Sequence, residues 1–283
     1  MILQTIGQGF LHLGHSHLTH KNEGIHSFKH FSSAVAVING PIPLVDPSPA
    51  FGTTYGQYMD ISTFVWSPED LPGVSVEIVA HELNVDPTFK PVKQKRRKLG
   101  RERAEAVKAE VEKLLRIGSI TKAKYPEWLA NPAVVKKKNG KWRVCVDFTD
   151  LNKACPKDSF PLSHIGRLVE STSGNKLLSF MDAFAGYNQI MMNSEDQEKT
   201  TFYTEEGIVC YRVMPFGLKN PMATYQHFVN KIFTLQIEKT MEVYIDDILV
   251  KSMEEEEHVT HLHGCFQQLN LYNVKLNSAK YRF

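Results

Sequence analysis

An adjacent pair of aspartates between two apolar, β-branched runs is the feature that most limits how this chain can fold. The pair is Asp246-Asp247, and the runs on either side are residues 241–245 and 248–250. Two such runs separated by a short polar segment are typical of a tight β-hairpin with its acids at the turn. Aspartate favours turns for local hydrogen bonding alone, so the pair by itself indicates only a turn.

A third aspartate favours a functional interpretation. Asp182 ends another strand-like run, residues 176–181. Mg²⁺ takes oxygen ligands, usually one or two carboxylates completed by waters and substrate phosphates. A strand-end aspartate that faces the hairpin pair would be able to hold two such ions, as in the two-metal enzymes that include polymerases. The three aspartates therefore predict a two-metal site.

Composition limits the class of protein. The chain has 283 residues, enough for one large domain or two smaller ones. Its 42% hydrophobic and 23% charged residues are ordinary for a globular protein. No apolar run reaches transmembrane length, so no membrane partner is expected. Four cysteines without CxxC spacing are too few for a disulfide framework, which favours a reduced, intracellular chain.

The chain divides into three parts. We expect residues 1–50 to be a poorly ordered leader of unknown origin; six of the twelve histidines fall there, without cysteines or carboxylates at metal-ligand spacing. Residues 51–100 are interpreted as a linker that carries most of a basic run, residues 90–103, which suits phosphate backbones. Residues 101–283 are expected to form the folded domain.

The folded part alternates helices with short hairpins. Because no regular βαβ order appears, we predict an α+β fold with an antiparallel sheet. The last residues are expected to form a weakly anchored extended piece. The predicted elements are a helix over 101–117, a hairpin over 133–148 with Asn139-Gly140 at its turn, a helix over 158–173, a hairpin of 201–204 with 208–213, helices over 222–238 and 254–272, and an extended piece from 274.

The hairpin at 133–148 carries an unusual number of cations around its tip. They are Lys136, Lys137, Lys138, Lys141 and Arg143. A basic hairpin can clamp a polyphosphate, with arginine supplying a planar fork of donors. Lysines also decorate exposed edge strands and prevent aggregation there, so the two interpretations stay open on these residues alone.

Four motifs in order resemble one known family. They are KWRVCVDFTDLNK at 141–153, SFMDAFAGYNQI at 179–190, MPFGLKN at 214–220 and YIDD at 244–247. Together they resemble the reverse transcriptase of gypsy-type LTR retrotransposons, especially the plant elements. The resemblance extends from about Trp66 to Phe283.

The resemblance implies a fold and a set of site residues. The fold would be the fingers and palm of a right-hand polymerase, with an antiparallel palm sheet. The three acids would bind two Mg²⁺ or Mn²⁺ ions and carry the catalysis. The remaining roles would be triphosphate grip by Lys136, Lys137, Lys138 and Arg143, exclusion of ribonucleotides by Tyr187, lining of the nucleotide site by Phe216 and Gly217, and template or primer contact by Tyr244 and Gln226.

Partners and location follow from the same resemblance. The expected ligands are dNTPs and an RNA or DNA template with its primer, and the parent polyprotein would also carry protease, RNase H and integrase. The expected location is the cytoplasm, a virus-like particle or the nucleus. In this family the primer grip and thumb would follow Phe283, so we expect the isolated chain to be weak or inactive in primer extension.

Two other functions remain open at this point. The first is a catalytically inactive nucleic-acid-binding relic of the same domain, which would keep the fold and the basic surfaces. The second is a two-metal nuclease, which only the three acids support. Metal-dependent incorporation of nucleotides separates the polymerase from the relic, and cleavage without dNTPs would indicate the nuclease.

Overall fold

The structure is a computed structural model that describes residues 61–138, 140–160, 166 and 170–278. The predicted leader at 1–50, with its histidines, lies outside these residues. The mixture of helices and small, mostly antiparallel sheets confirms the predicted α+β class. The α-helices that lie wholly within the described residues are α1 (Arg101–Arg116), α2 (Thr149–Ala154), α3 (Pro221–Ile232) and α4 (Glu255–Leu271). No helix in the described part of the chain is long and apolar enough to cross a membrane.

Twelve strands are present in the described residues, most of them short. In chain order they are β1 (Phe64–Val65), β2 (Ala80–His81), β3 (Ile120–Lys122), β4 (Pro132–Lys136), β5 (Trp142–Val146), β6 (Leu177–Asp182), β7 (Met191–Met192), β8 (Phe202–Tyr203), β9 (Ile208–Tyr211), β10 (Met241–Tyr244), β11 (Asp247–Ser252) and β12 (Leu276–Asn277).

The central sheet has the order β10-β11-β6 and is antiparallel throughout. Every residue of β11 is buried, so both faces of this strand are covered by other parts of the chain. Helix α4 packs against β11 and buries Leu262, Phe266 and Leu269. We call β10 and β11 with their turn, residues 241–252, the acidic hairpin.

A second group of elements lies around α1. Strands β3, β9 and β8 form one antiparallel sheet, and β4 pairs with β5 in a separate hairpin, as predicted. Helix α1 packs on β3, β4 and β5 and buries Val107, Val111 and Leu114, the face that helical periodicity indicates. We call residues 132–146 the basic hairpin.

Segments far from the centre of the sequence also belong to the folded body. In the interval predicted to be a linker, β2 pairs with β7, and Val74 and Leu83 are each 3% exposed. At the other end, β12 pairs with β1 and Leu276 is fully buried. The prediction of a weakly anchored extended piece is therefore wrong for residues 274–277, because Gln189 on the loop after β6 bonds both backbone groups of Lys275.

Two helix predictions differ from the structure. Helix α3 ends at Ile232, six residues before the predicted end, because the chain turns at Phe233 and forms a bridge between Ile237 and Met241. Glu238 takes a positive φ of 68°, which no helix residue can adopt. Half of the helix predicted over 158–173 lies outside the described residues.

Candidate active site

The central sheet brings the three predicted acids together at one edge. Asp182 is the last residue of β6 and pairs in register with Asp247, the first residue of β11. Directly opposed residues of antiparallel strands project to the same face. The backbone N–H of Ala183 donates to the carbonyl of Asp246 at 2.9 Å, which ties the end of β6 to the hairpin turn. All three aspartates are at most 9% exposed.

The turn of the acidic hairpin is held in a strained conformation. Ile245 has a φ of 57°, and a β-branched residue at positive φ is a backbone outlier. Its N–H donates to Oε1 of Gln226 at 3.1 Å, and its side chain is only 5% exposed. Strain of this kind costs on the order of 1–3 kcal/mol and persists only where the surroundings impose it, most often at functional sites.

Gln226 lies under this turn. The side chain is 3% exposed, and its Nε2 donates to Oδ1 of Asn230 at 2.9 Å while Oε1 accepts from Ile245. Both ends of the amide are therefore engaged inside the protein, and Gln226 holds the backbone of the residue just before Asp246. Its contact with a template stays a prediction, as does that of Tyr244, which pairs with Asp247 and is partly exposed.

Gly186 leaves the space that the Asp246 carboxylate occupies. A Cβ added at Gly186 would overlap Oδ1 of Asp246 and lie 3.1 Å from Cε2 of Tyr225. Any larger residue would displace that carboxylate or the ring. The motif at 179–190 contains this glycine, but only the folded chain reveals that it faces an acid sixty positions later.

Aromatic rings line the space next to Gly186. Tyr187 is 9% exposed, and its ring centroid lies 5.1 Å from that of Phe216 and 5.9 Å from that of Tyr225. Phe216 is 53% exposed. Burial, and then the charges of Asp246 and Asp182, hold the pKa of Tyr225 well above its usual range. Sequence reasoning missed Tyr225, because a tyrosine at a helical apolar position carries no signal beyond core packing.

The loop before α3 is fixed by Gly217. This residue has a φ of 99°, a value that favours glycine, and a Cβ there would approach the Val146 carbonyl to 3.5 Å. Its own carbonyl accepts from Nδ2 of Asn152 at 2.8 Å. The exposed ring of Phe216 is therefore presented from a loop anchored to α2.

The predicted phosphate-gripping residues lie on the basic hairpin, outside the sheet that carries the acids. The turn closes through the Lys137 N–H to the Lys141 carbonyl at 2.8 Å, with Gly140 at a φ of 80°. Lys136 lies over the ring of Trp142, with Nζ 5.3 Å from the centroid. Lys137 and Lys138 are exposed, and Arg143 is partly buried.

The basic run at 90–103 divides into two kinds of residue. Arg96 donates to the Thr204 carbonyl at 3.0 Å and stacks on Tyr203, and Arg97 forms an ion pair with Asp147 at 2.9 Å. These two guanidinium groups fasten the run to the neighbouring strands. Arg96 and Arg97 are nevertheless exposed, as are the other cations of the run, of which Arg101 pairs with Glu105 on the same helix.

The donor set suits a divalent cation in the type of its ligand atoms. Three carboxylates at one sheet edge are the oxygen ligands that Mg²⁺ and Mn²⁺ prefer. Across the described residues, no group of three or more histidine, cysteine, aspartate or glutamate side chains is already arranged to hold a metal ion. The fit therefore rests on the register of Asp182 with Asp247 and on the space that Gly186 leaves beside Asp246.

Comparison with known proteins identifies the sequence. Residues 135–283 match the family described as reverse transcriptase (RNA-dependent DNA polymerase). The Tf2-3 and Tf2-7 transposon polyproteins of Schizosaccharomyces pombe are each 34% identical over 149 residues. The match covers 53% of this chain but 11% of either polyprotein.

Solved structures share the fold. The native protease-reverse transcriptase of prototype foamy virus superposes with a TM-score of 0.71 at 18% identity, over 89% of this chain and 33% of the viral one. A foamy viral protease-reverse transcriptase in complex with RNA/DNA hybrid gives 0.70 at 19% identity, with the same shares. At these identities the likeness shows the fold, which confirms the prediction of polymerase fingers and palm.

Proposed function

Since this chain belongs to the reverse transcriptase (RNA-dependent DNA polymerase) family, we propose that it transfers nucleotides from dNTPs to a primer 3′-hydroxyl as the fingers and palm of an LTR retrotransposon polyprotein. The observation that carries the proposal is the register of Asp182 with Asp247, with Asp246 in the turn beside them. The four ordered motifs support a gypsy-type parent element of the plant kind, with protease, RNase H and integrase in the same polyprotein.

The residues of the acidic hairpin have separable tasks. Asp182, Asp246 and Asp247 would hold two divalent cations, which when bound supply charge neutralisation at the primer hydroxyl and the triphosphate. Gln226 fixes the turn through the Ile245 N–H, and Gly186 keeps the space beside Asp246 open. Preorganised groups of this kind are the main source of rate enhancement where charge develops.

Tyr187 is the proposed selector of the sugar. It follows Gly186 directly, and its ring lies between Tyr225 in the core and the exposed Phe216. A bulky ring at this position would crowd a 2′-hydroxyl and leave a 2′-deoxyribose unaffected. The exposed Lys137 and Lys138 would meet the triphosphate or the nucleic-acid backbone, where Arg143 adds a planar fork of donors.

The first test is metal-dependent primer extension. The chain, and a form extended at its C-terminus through the thumb, would be assayed on the same primed RNA template with dNTPs and Mg²⁺ or Mn²⁺. We expect Asp246→Asn to lower incorporation by roughly 10²–10³-fold. It should not lower the unfolding midpoint, because it relieves repulsion among three crowded negative charges.

The matched control is Asp70→Asn, which removes an exposed carboxylate at the end of a short 3₁₀ turn. It should leave incorporation unchanged. If neither form incorporates nucleotides yet both bind primed template in a salt-dependent way, the chain is a binding relic. Cleavage of labelled nucleic acid without dNTPs, lost in Asp246→Asn, would indicate a nuclease instead.

The second test concerns the sugar. Tyr187→Ala should admit ribonucleotides more readily, whereas Tyr187→Phe keeps the ring and should preserve discrimination. The ratio of kcat/KM for dNTP and rNTP measures the effect. Equal loss with both substrates would contradict the proposal and make Tyr187 an ordinary core tyrosine.

A further inference from the structure

The hydroxyl of Tyr225 is buried in the core without a hydrogen-bond partner among the described residues. The side chain is 1% exposed, and its oxygen is shielded from solvent. Burying a hydroxyl without a partner is unfavourable, and a phenylalanine would fill the same space without that cost. One turn later on α3, Phe228 contacts the Tyr225 ring at 6.2 Å between centroids. The hydroxyl therefore has no evident part in the packing.

The edge of the Tyr225 ring lies near the carboxylate of Asp246. A Cβ on Gly186 would touch both Oδ1 of Asp246 and Cε2 of Tyr225, so the carboxylate and the ring edge line the same gap. Cε2 adjoins the ring carbon that carries the hydroxyl. A tyrosine hydroxyl carries a proton at neutral pH and is therefore available as a hydrogen-bond donor.

We propose that Tyr225 is a positioning residue: its hydroxyl donates a hydrogen bond to the carboxylate of Asp246 when that carboxylate turns to bind a divalent cation. This inference rests on the metal site of the proposed function. Carboxylates that bind metals are usually oriented by hydrogen bonds from neighbouring groups. Helix α3 then serves the acidic hairpin from two successive residues. Gln226 fixes the backbone of the turn, and Tyr225 orients the side chain that the turn presents.

The contrasting interpretation is a core tyrosine with no role at the site. Both interpretations allow Tyr225→Phe to fold, because the ring is kept and no hydrogen bond present in the structure is lost. They differ in metal affinity. A hydroxyl that orients a ligand changes the binding of the ion, whereas a core hydroxyl changes only the stability of the metal-free chain.

The test measures Mn²⁺ binding to the 283-residue chain by calorimetry and by the electron paramagnetic resonance of free Mn²⁺, without nucleotide or nucleic acid. We expect Tyr225→Phe to raise the Kd for Mn²⁺ by roughly 10–100-fold. Its metal-free unfolding midpoint should be unchanged or higher. The matched control is Tyr211→Phe, on β9 in a different sheet, where the ring packs on Phe148 and Phe202. That variant should bind Mn²⁺ like the original chain.

The outcomes separate this inference from the function on which it rests. If Asp246→Asn abolishes Mn²⁺ binding while Tyr225→Phe binds it normally, the metal site stands and the inference about Tyr225 is overturned. If the original chain binds no Mn²⁺, both fall. Weaker Mn²⁺ binding by Tyr225→Phe, together with unchanged Mn²⁺ binding by Tyr211→Phe, supports the inference.

Discussion

The acidic and basic hairpins share one local pattern, but the acidic hairpin lies in the protein interior and the basic hairpin lies at the surface. Each consists of two antiparallel strands with charged residues near a tight turn. In the acidic hairpin every residue of β11 is buried, and a third strand, β6, pairs along its whole length. In the basic hairpin β4 and β5 pair only with each other among the described strands, and Lys136, Lys137 and Lys138 are exposed.

Because one set of charges is buried and the other is exposed, electrostatic interactions differ in strength and range between the two hairpins. The acids lie at fixed positions with little solvent around them, where electrostatic interactions are strong and small displacements matter. The lysines lie in water, where an interaction with a phosphate would be long-ranged, screened by salt and tolerant of position. Substitutions near the acids should therefore have large local effects, and substitutions at the lysines should have graded ones.

The largest effect is expected from Gly186→Ala. The new methyl group would overlap Oδ1 of Asp246, and a misplacement of about 1 Å can cost roughly 10²-fold in rate. The measurement is primer extension by the form extended through the thumb, together with the unfolding midpoint. Gly264→Ala is the matched control, because nothing lies within 4 Å of its added Cβ inside α4. The control should be active and more stable by about 0.5–1 kcal/mol. Full activity of Gly186→Ala would show that the acids tolerate displacement.

Next in size is Gln226→Leu, which keeps the volume of the side chain but removes the acceptor for the Ile245 N–H. A buried donor left without its partner costs about 1–3 kcal/mol, and the strained turn would lose its restraint. Chemical denaturation measures the loss. Hydrogen exchange should show faster exchange at the Ile245 amide and unchanged exchange in the basic hairpin. Unchanged exchange at Ile245 would mean that other contacts hold the turn.

A smaller effect is expected from reversing charge at the tip of the basic hairpin, by Lys137→Glu together with Lys138→Glu. Both side chains are exposed, so stability should change by less than about 0.5 kcal/mol. The affinity for primed template should fall, and the slope of log K against log salt should become shallower by about 1–2. Lys157→Glu together with Lys239→Glu, at two exposed lysines outside the hairpin, makes the same change in net charge and is the control. Equal loss in this control would remove the special role of the hairpin.

The smallest effect concerns pH. His258 on α4 bonds to Ser179 of β6 at 2.8 Å and to Ser252 of β11 at 2.9 Å, and burial, then repulsion by His261, lower its pKa to about 4. Because the unfolded pKa is 6.5, the stabilisation is complete above pH 6.5 and is lost as the pH falls from 6.5 toward 4.

Acidification over this window should therefore lower the unfolding midpoint and open amides of the central sheet before those of the basic hairpin. Hydrogen exchange at several pH values measures the order. His258→Gln should weaken the pH dependence without removing it, since His81 is also buried with a pKa lowered to about 4. If the unfolding midpoint of His258→Gln depends on pH as strongly as that of the original chain, His258 is excluded as a source of the pH dependence.

The sequence by itself determined the elements whose signals are local. Asn139-Gly140 between alternating runs predicted the basic hairpin, the apolar spacing in 101–117 predicted α1, and the aspartate pair predicted the acidic turn, because turn chemistry and periodicity act over a few residues.

The tertiary structure alone decided the register of Asp182 with Asp247, the space that Gly186 leaves and the engagement of Gln226 and Tyr225 beneath the turn. It also decided that α3 ends at Ile232 and that Arg96 and Arg97 bind the chain itself. These features arise between residues far apart in sequence, so no local pattern encodes them, and they exist only once the packed core has brought the segments together.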